Sequence, residues 1–137
     1  MDGDFIKTIV RKYRPKGWRV RESKRRSKSQ SGLAVWKTKT LLVPVLEDGP
    51  SLFVFLHECG HVRLGHGTVP RPRHQEEYEA EKFAIHAMKV EGLSISPGVL
   101  NHAKINVWNR IAEDEAKGIK ISKHILRWAK TCHEATI

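Results

Sequence analysis

The chain has 137 residues, 39% of them apolar and 29% charged, with 25 Lys and Arg against 15 Asp and Glu and a formal net charge of +10. That length and composition predict a single globular domain, residues 1–137, burying about two-thirds of the surface its unfolded chain exposes, and they exclude a disordered or low-complexity chain. No apolar run approaches the roughly 18 residues a membrane-spanning helix needs, so no membrane partner is expected.

The charge is unevenly placed. Residues 1–31 hold eleven of the basic and three of the acidic side chains, a net of +8, which leaves +2 for the remainder. The basic run at about 21–32, Arg21-Glu-Ser-Lys-Arg-Arg-Ser-Lys-Ser-Gln-Ser-Gly32, has the Ser and Gly content of a flexible connection. Its field also attracts polyanions, so weak contact with nucleic acid is a second expectation. The start of the chain carries two acids and no apolar stretch before a small-residue cleavage site; no secretory signal is read, and a cytoplasmic location is expected. Cys59 and Cys132 form no spaced pair and are read as reduced.

In chain order, Phe5, Ile6, Ile9, Val10 and Tyr13 recur at helical spacing and predict an amphipathic helix that stops at Arg14-Pro15, because the residue before proline avoids the helical region. Residues 18–21 read as a short strand. Residues 33–36 and 40–45 read as two more, joined by Lys37-Thr-Lys39 and able to pair as a hairpin. Glu47-Asp-Gly-Pro50 is a turn, and Ser51 is a plausible cap for the helix that follows. That helix, Leu52 to Leu64, is apolar nearly all round and therefore central.

Inside it lies His57-Glu58-Cys59-Gly60-His61. Residues four apart share one helix face, so both imidazoles reach one Zn²⁺, while Glu58 sits beside it as general base. A buried apolar helix tolerates two histidines and an acid only when something satisfies them. A catalytic zinc needs a third protein ligand. His66 has the wrong offset for the pattern with a third histidine ten residues after the first. His74 is an alternative ligand in a loop setting after Pro70 and Pro72. Glu77 is the better candidate: it precedes an apolar face of Ala80, Phe83, Ala84 and Ala87 on a second helix, and looks inward from the first turn. Glu81, one turn on, is placed to accept the outer N–H of a ligating histidine. Glu79 is read as part of a solvated acidic face.

These residues resemble the ImmA/IrrE-type zinc metallopeptidases, whose hallmark is HELGH followed by E-x-E-A-N/D-x-F-A. The likeness is carried by His57-Glu-Cys-Gly-His61, Gly65-His66, and Glu77 with Ala80, Phe83 and Ala84, and it spans roughly residues 5–90. It implies a gluzincin with His57, His61 and Glu77 as zinc ligands, Glu58 as general base, and a helix-turn-helix repressor or other regulator as protein substrate. Cys59 replaces the usual leucine, Glu81 stands where Asn or Asp is common, and the segment after Ala84 departs from the family pattern.

The expected fold is a small α+β, zincin-like domain: N-terminal helix, short three-stranded sheet, HExxH helix, glutamate helix and a C-terminal helical hairpin at about 96–134. In the hairpin, Ser96-Pro97 starts a helix with a Leu100, Ala103, Val107, Ile111 stripe running to Gly118, and Ser122 caps a second with Ile125, Leu126, Ala129 and Cys132 inward. Trp108 and Trp128 are read as core anchors. Tyr78, His66, His74 and His102 are candidates for stabilising an oxyanion. The alternatives are a SprT-like DNA-associated protease, with His74 as third ligand, and a zinc-stabilised pseudoenzyme that binds a partner.

Overall fold

The computed structural model describes residues 1–23 and 32–132. It is an α+β arrangement of five helices and one three-stranded mixed sheet: α1 Gly3–Tyr13, β1 Arg19–Glu22, β2 Leu33–Val35, β3 Thr40–Val43, α2 Gly49–Arg63, α3 Arg73–Val90, α4 Pro97–Ala116 and α5 Lys123–Lys130. Residues 24–31 of the basic run lie outside the described residues.

The sheet order is β1-β3-β2. β2 and β3 form the expected antiparallel hairpin, with Leu33 opposite Leu42 and Val35 opposite Thr40. β1 adds in parallel on the other side of β3, Val20 opposite Leu41. The central strand sends Leu41 and Val43 into the core, as alternation requires of a strand with one covered face. At one end of the sheet the Trp18 and Trp36 rings meet edge to face, 5.0 Å apart.

α2 is the central helix, packed between the sheet and α3, and α3 in turn packs on α4. Leu52, Phe55, Leu56 and Cys59 are fully buried along it. Its N-cap is Asp48 rather than Ser51. Asp48 Oδ1 accepts from the Ser51 backbone N–H at 2.9 Å, and Ser51 Oγ accepts from the Asp48 N–H at 3.1 Å. The reciprocal pair satisfies two donors of the first turn, and Ser51 occupies the N3 position of that box.

The C-terminal end of α1 is fastened to the ends of α2 and α3. Arg63 donates to the Lys12 and Tyr13 carbonyls, and Glu91 accepts from Lys12 Nζ at 2.6 Å and Tyr13 Oη at 2.7 Å. Burial and the Glu91 carboxylate push the Tyr13 phenol up to about 12. α4 and α5 form the expected hairpin, with Val107, Ile111, Ile125 and Ala129 in a small second core. Trp108 and Trp128 are partly buried against it, whereas Leu126, expected inward, is exposed. No helix among the described residues is long and apolar enough to cross a membrane.

Candidate metal centre

His57 and His61 lie one turn apart on α2, and their Nε2 atoms approach to 3.0 Å. Glu77, on the second turn of α3, closes the group, with Oε2 2.9 Å from His61 Nε2 and Oε1 3.4 Å from His57 Nε2. One ligand atom from each of the three falls within 4.8 Å of the others, so the group could hold a metal ion. The approach of α3 depends on Gly60: a Cβ there would lie 3.1 Å from the Phe83 Cβ and ring. A glycine on the α2 face opposite Phe83 lets the two backbones come close enough for a short carboxylate to reach both rings.

Outer hydrogen bonds orient the cluster. Glu81 Oε1 lies 2.7 Å from His57 Nδ1. Since a carboxylate only accepts, the Nδ1 proton is on His57 and its Nε2 faces inward toward Glu77. Asn106, on α4, donates from Nδ2 to Glu77 Oε1 at 2.8 Å and to Glu81 Oε2 at 3.2 Å, so one amide steadies both carboxylates. Two imidazole nitrogens and a carboxylate oxygen directed at one point form a donor set that suits zinc.

The electrostatics match this crowding. Burial would lower the His57 pKa, but the Glu81 charge, hydrogen bonds to Glu77 and Glu81, and the Glu58 charge hold it well above 6.5. Burial would raise Glu77, yet hydrogen bonds from His57 and His61 bring it far below the usual carboxylate range. Glu58 differs. It is only 7% exposed, with Oε2 3.9 Å from His57 Nε2, and burial pushes its carboxyl up despite the two imidazoles. The two glutamates beside one site are thus poised differently, Glu77 as a fixed anion and Glu58 nearer to exchanging a proton.

Gly32, immediately before β2, presses on Glu58. A Cβ at this position would come within 2.7 Å of Glu58 Cγ. The cluster opens onto a cleft of about 730 Å³. One wall is Gly32, Leu33, Ala34 and Trp36 of the β2 hairpin; the opposite wall is Val99, His102 and Asn106 of α4. Among the described residues β2 has a strand neighbour on one side only, and Leu33 is 48% exposed.

His74 does not join the group. It sits in the first turn of α3, 1% exposed, with Nδ1 2.7 Å from Asp114 Oδ2 and its backbone N–H donating to the same oxygen. Its position is helical rather than in a loop, and its partner comes from α4, forty residues away. Tyr78 faces α5, edge to face with His124 and Trp128. His66 is buried behind His61, with Nδ1 2.9 Å from His61 Nδ1. Of the four expected oxyanion donors, His102 is the exposed one that lines the cleft. Glu79 is not simply a solvated acid: Oε1 lies 2.9 Å from His66 Nε2. Sequence reasoning missed Asn106 and the His66 and Glu79 pairing; only Gly65, a helix-ending glycine just before His66, signalled the latter.

Compared with protein-family models, curated proteins and solved structures, the chain matches none.

Proposed function

We propose that the protein is a zinc metallopeptidase with a zincin-like arrangement of the ImmA/IrrE type, acting on a protein substrate. The observation that carries this reading is the convergence of His57 Nε2, His61 Nε2 and a Glu77 oxygen within 4.8 Å, with Glu58 beside them at the floor of an open cleft. A zinc ion held by these three residues supplies a water of lowered pKa and polarises a carbonyl. Glu58 Oε2 accepts the proton of the attacking water and delivers it to the leaving amine nitrogen, a role that suits a carboxyl raised by burial. His102 donates to the carbonyl oxygen from the α4 wall. The substrate lies extended along the side of β2 that has no strand neighbour among the described residues, where backbone groups recognise backbone groups.

A helix-turn-helix repressor or a similar regulator is the substrate class the family resemblance brings. The rival reading as a DNA-associated protease with His74 as ligand loses support from the pairing of His74 with Asp114.

Metal analysis and a proteolysis assay on the purified protein test the reading. Wild type is expected to hold one zinc; Glu77→Ala loses it. Glu58→Gln keeps zinc and loses cleavage by about 10²-fold or more. Full zinc retention by Glu77→Ala removes Glu77 from the ligand set, and full cleavage by Glu58→Gln removes the general base.

A further inference from the structure

A second concentration of positive charge lies toward the other end of the chain. Residues 117–132 hold five Lys and Arg and no Asp or Glu, whereas residues 32–116 hold nine basic against eleven acidic side chains, a net of −2. α5 carries three of the five. Lys123, Arg127 and Lys130 are all exposed. Their i, i+4, i+7 spacing sets them along one face of the helix, opposite the buried Ile125 and Ala129 that dock it.

Two further cations adjoin this face through Trp128. Lys82 Nζ, from α3, lies over the indole 5.9 Å from its centroid, and Lys104 Nζ, from α4, lies over it at 5.7 Å. Lys12 and Arg110 elsewhere are paired with Glu91 and Glu113. Among the described residues, none of the five cations on and beside α5 forms an ion pair with a carboxylate. Like charges gathered without acids repel one another, and a dense polyanion relieves that repulsion. None of these residues lines the cleft that holds the histidine and glutamate cluster, so the surface is separate from it and owes nothing to zinc.

We propose that the α5 face, with Lys82 and Lys104 beside it, binds the phosphate backbone of double-stranded DNA without reading its sequence. The stripe from Lys123 to Lys130 is about 10 Å long, a length that faces about three phosphates of one strand. Single-stranded nucleic acid is held by aromatic rings on which bases stack. Here the rings are already engaged: two ammonium groups lie over Trp128, Tyr78 meets it edge to face at 5.4 Å, and His124 meets Tyr78 at 5.5 Å. α5 has no hydroxyl or amide side chain with which to grip the 2′-hydroxyls of RNA. A membrane surface fits less well, because a helix lying on a bilayer needs an apolar face to insert, and that of α5 is spent on the protein, with only Leu126 exposed.

Fluorescence anisotropy of a labelled duplex DNA with the full chain tests the proposal. Neutralising three to five phosphates predicts a fall in affinity of about 40- to 500-fold between 50 and 200 mM salt. The triple variant Lys123→Gln, Arg127→Gln, Lys130→Gln should bind at least about tenfold more weakly at the lower salt and flatten the salt slope by about three, with thermal unfolding unchanged. Lys82→Gln combined with Lys104→Gln, on two other helices, should flatten it by about two, and decides the matter if the triple variant does not fold. Duplex binding that is absent at the lower salt, or unchanged in both variants, overturns the proposal. So does binding lost chiefly when Lys24, Arg25, Arg26 and Lys28 are replaced by serine, which would assign the contact to the N-terminal basic run. Tighter binding to single-stranded DNA, duplex RNA, polyglutamate or phosphatidylserine vesicles than to duplex DNA overturns it as well.

Discussion

At the scale of single residues, Glu58 and Gly32 are coupled. Glu58 is held against the start of β2, and the room for its methylene groups exists because residue 32 lacks a side chain. Gly32→Ala would force Glu58 Cγ or the strand to move, since 2.7 Å is well inside carbon–carbon contact. The expected result is a loss of cleavage of about tenfold or more with metal content unchanged, because positioning errors near 1 Å are costly to catalysis; unchanged kcat would show that Glu58 has another resting place. His57 yields a second prediction. Its raised pKa means that, in the metal-free protein, the proton on His57 stabilises the fold fully below pH 6.5, and this contribution is lost as pH climbs through the raised value. A metal must displace that proton. Zinc affinity should therefore increase with pH from 6.5 upward, with proton release on binding, in titrations across a pH series; a flat affinity over that window would show that His57 binds no metal.

At the scale of elements, the spacing between α2 and α3 decides whether Glu77 reaches the histidines. Gly60 and Phe83 set it. Gly60→Val would add a branched side chain where even a Cβ meets Phe83 at 3.1 Å, pushing the helices apart and straining the core. We expect zinc affinity to fall at least tenfold and unfolding to shift by about 1–3 kcal/mol; a stability change with zinc affinity intact would show that Glu77 is positioned by other contacts. Much of each helix was legible from local chemistry. Pro15 ended α1 where expected, Ser96-Pro97 began α4, and the HExxH segment was helical. The cap of α2 lies three residues before the Ser51 expected from sequence, because Asp48 and Ser51 are both competent caps and the choice rests on which backbone N–H each faces.

At the scale of the whole molecule, α4 both walls the cleft and braces α3. Asn106 steadies Glu77 and Glu81, and two turns on, Asp114 binds His74 at the start of α3. The two contacts pin α3 at both ends of its site-forming stretch. Asp114 is buried, which alone would raise its pKa, but hydrogen bonds from His74 hold its carboxyl below the ordinary value. The sign follows: this contact stabilises the fold above the unfolded carboxylate pKa, near 4, and is lost as pH falls through the lowered folded value. Asp114→Ala should destabilise the protein by about 3 kcal/mol in urea unfolding at pH 7, because it strips a buried histidine of its partner. A change below about 0.5 kcal/mol would mean that the hairpin docks on α3 through its apolar contacts alone.

The sequence by itself determined the helix that carries His57, Glu58 and His61, since an i, i+4 spacing on a continuous helix leaves both imidazoles one common face. It also determined the amphipathic helix that presents Glu77 and Glu81, and the β2–β3 hairpin. Only the tertiary structure decided which acid meets the histidines, what Asn106 bridges, and that His74 belongs to Asp114 rather than to the cluster. These pairings join side chains 16 to 40 residues apart. They depend on how closely and at what rotation two helices pack, and periodicity fixes the buried face of each helix but not its height against its neighbour.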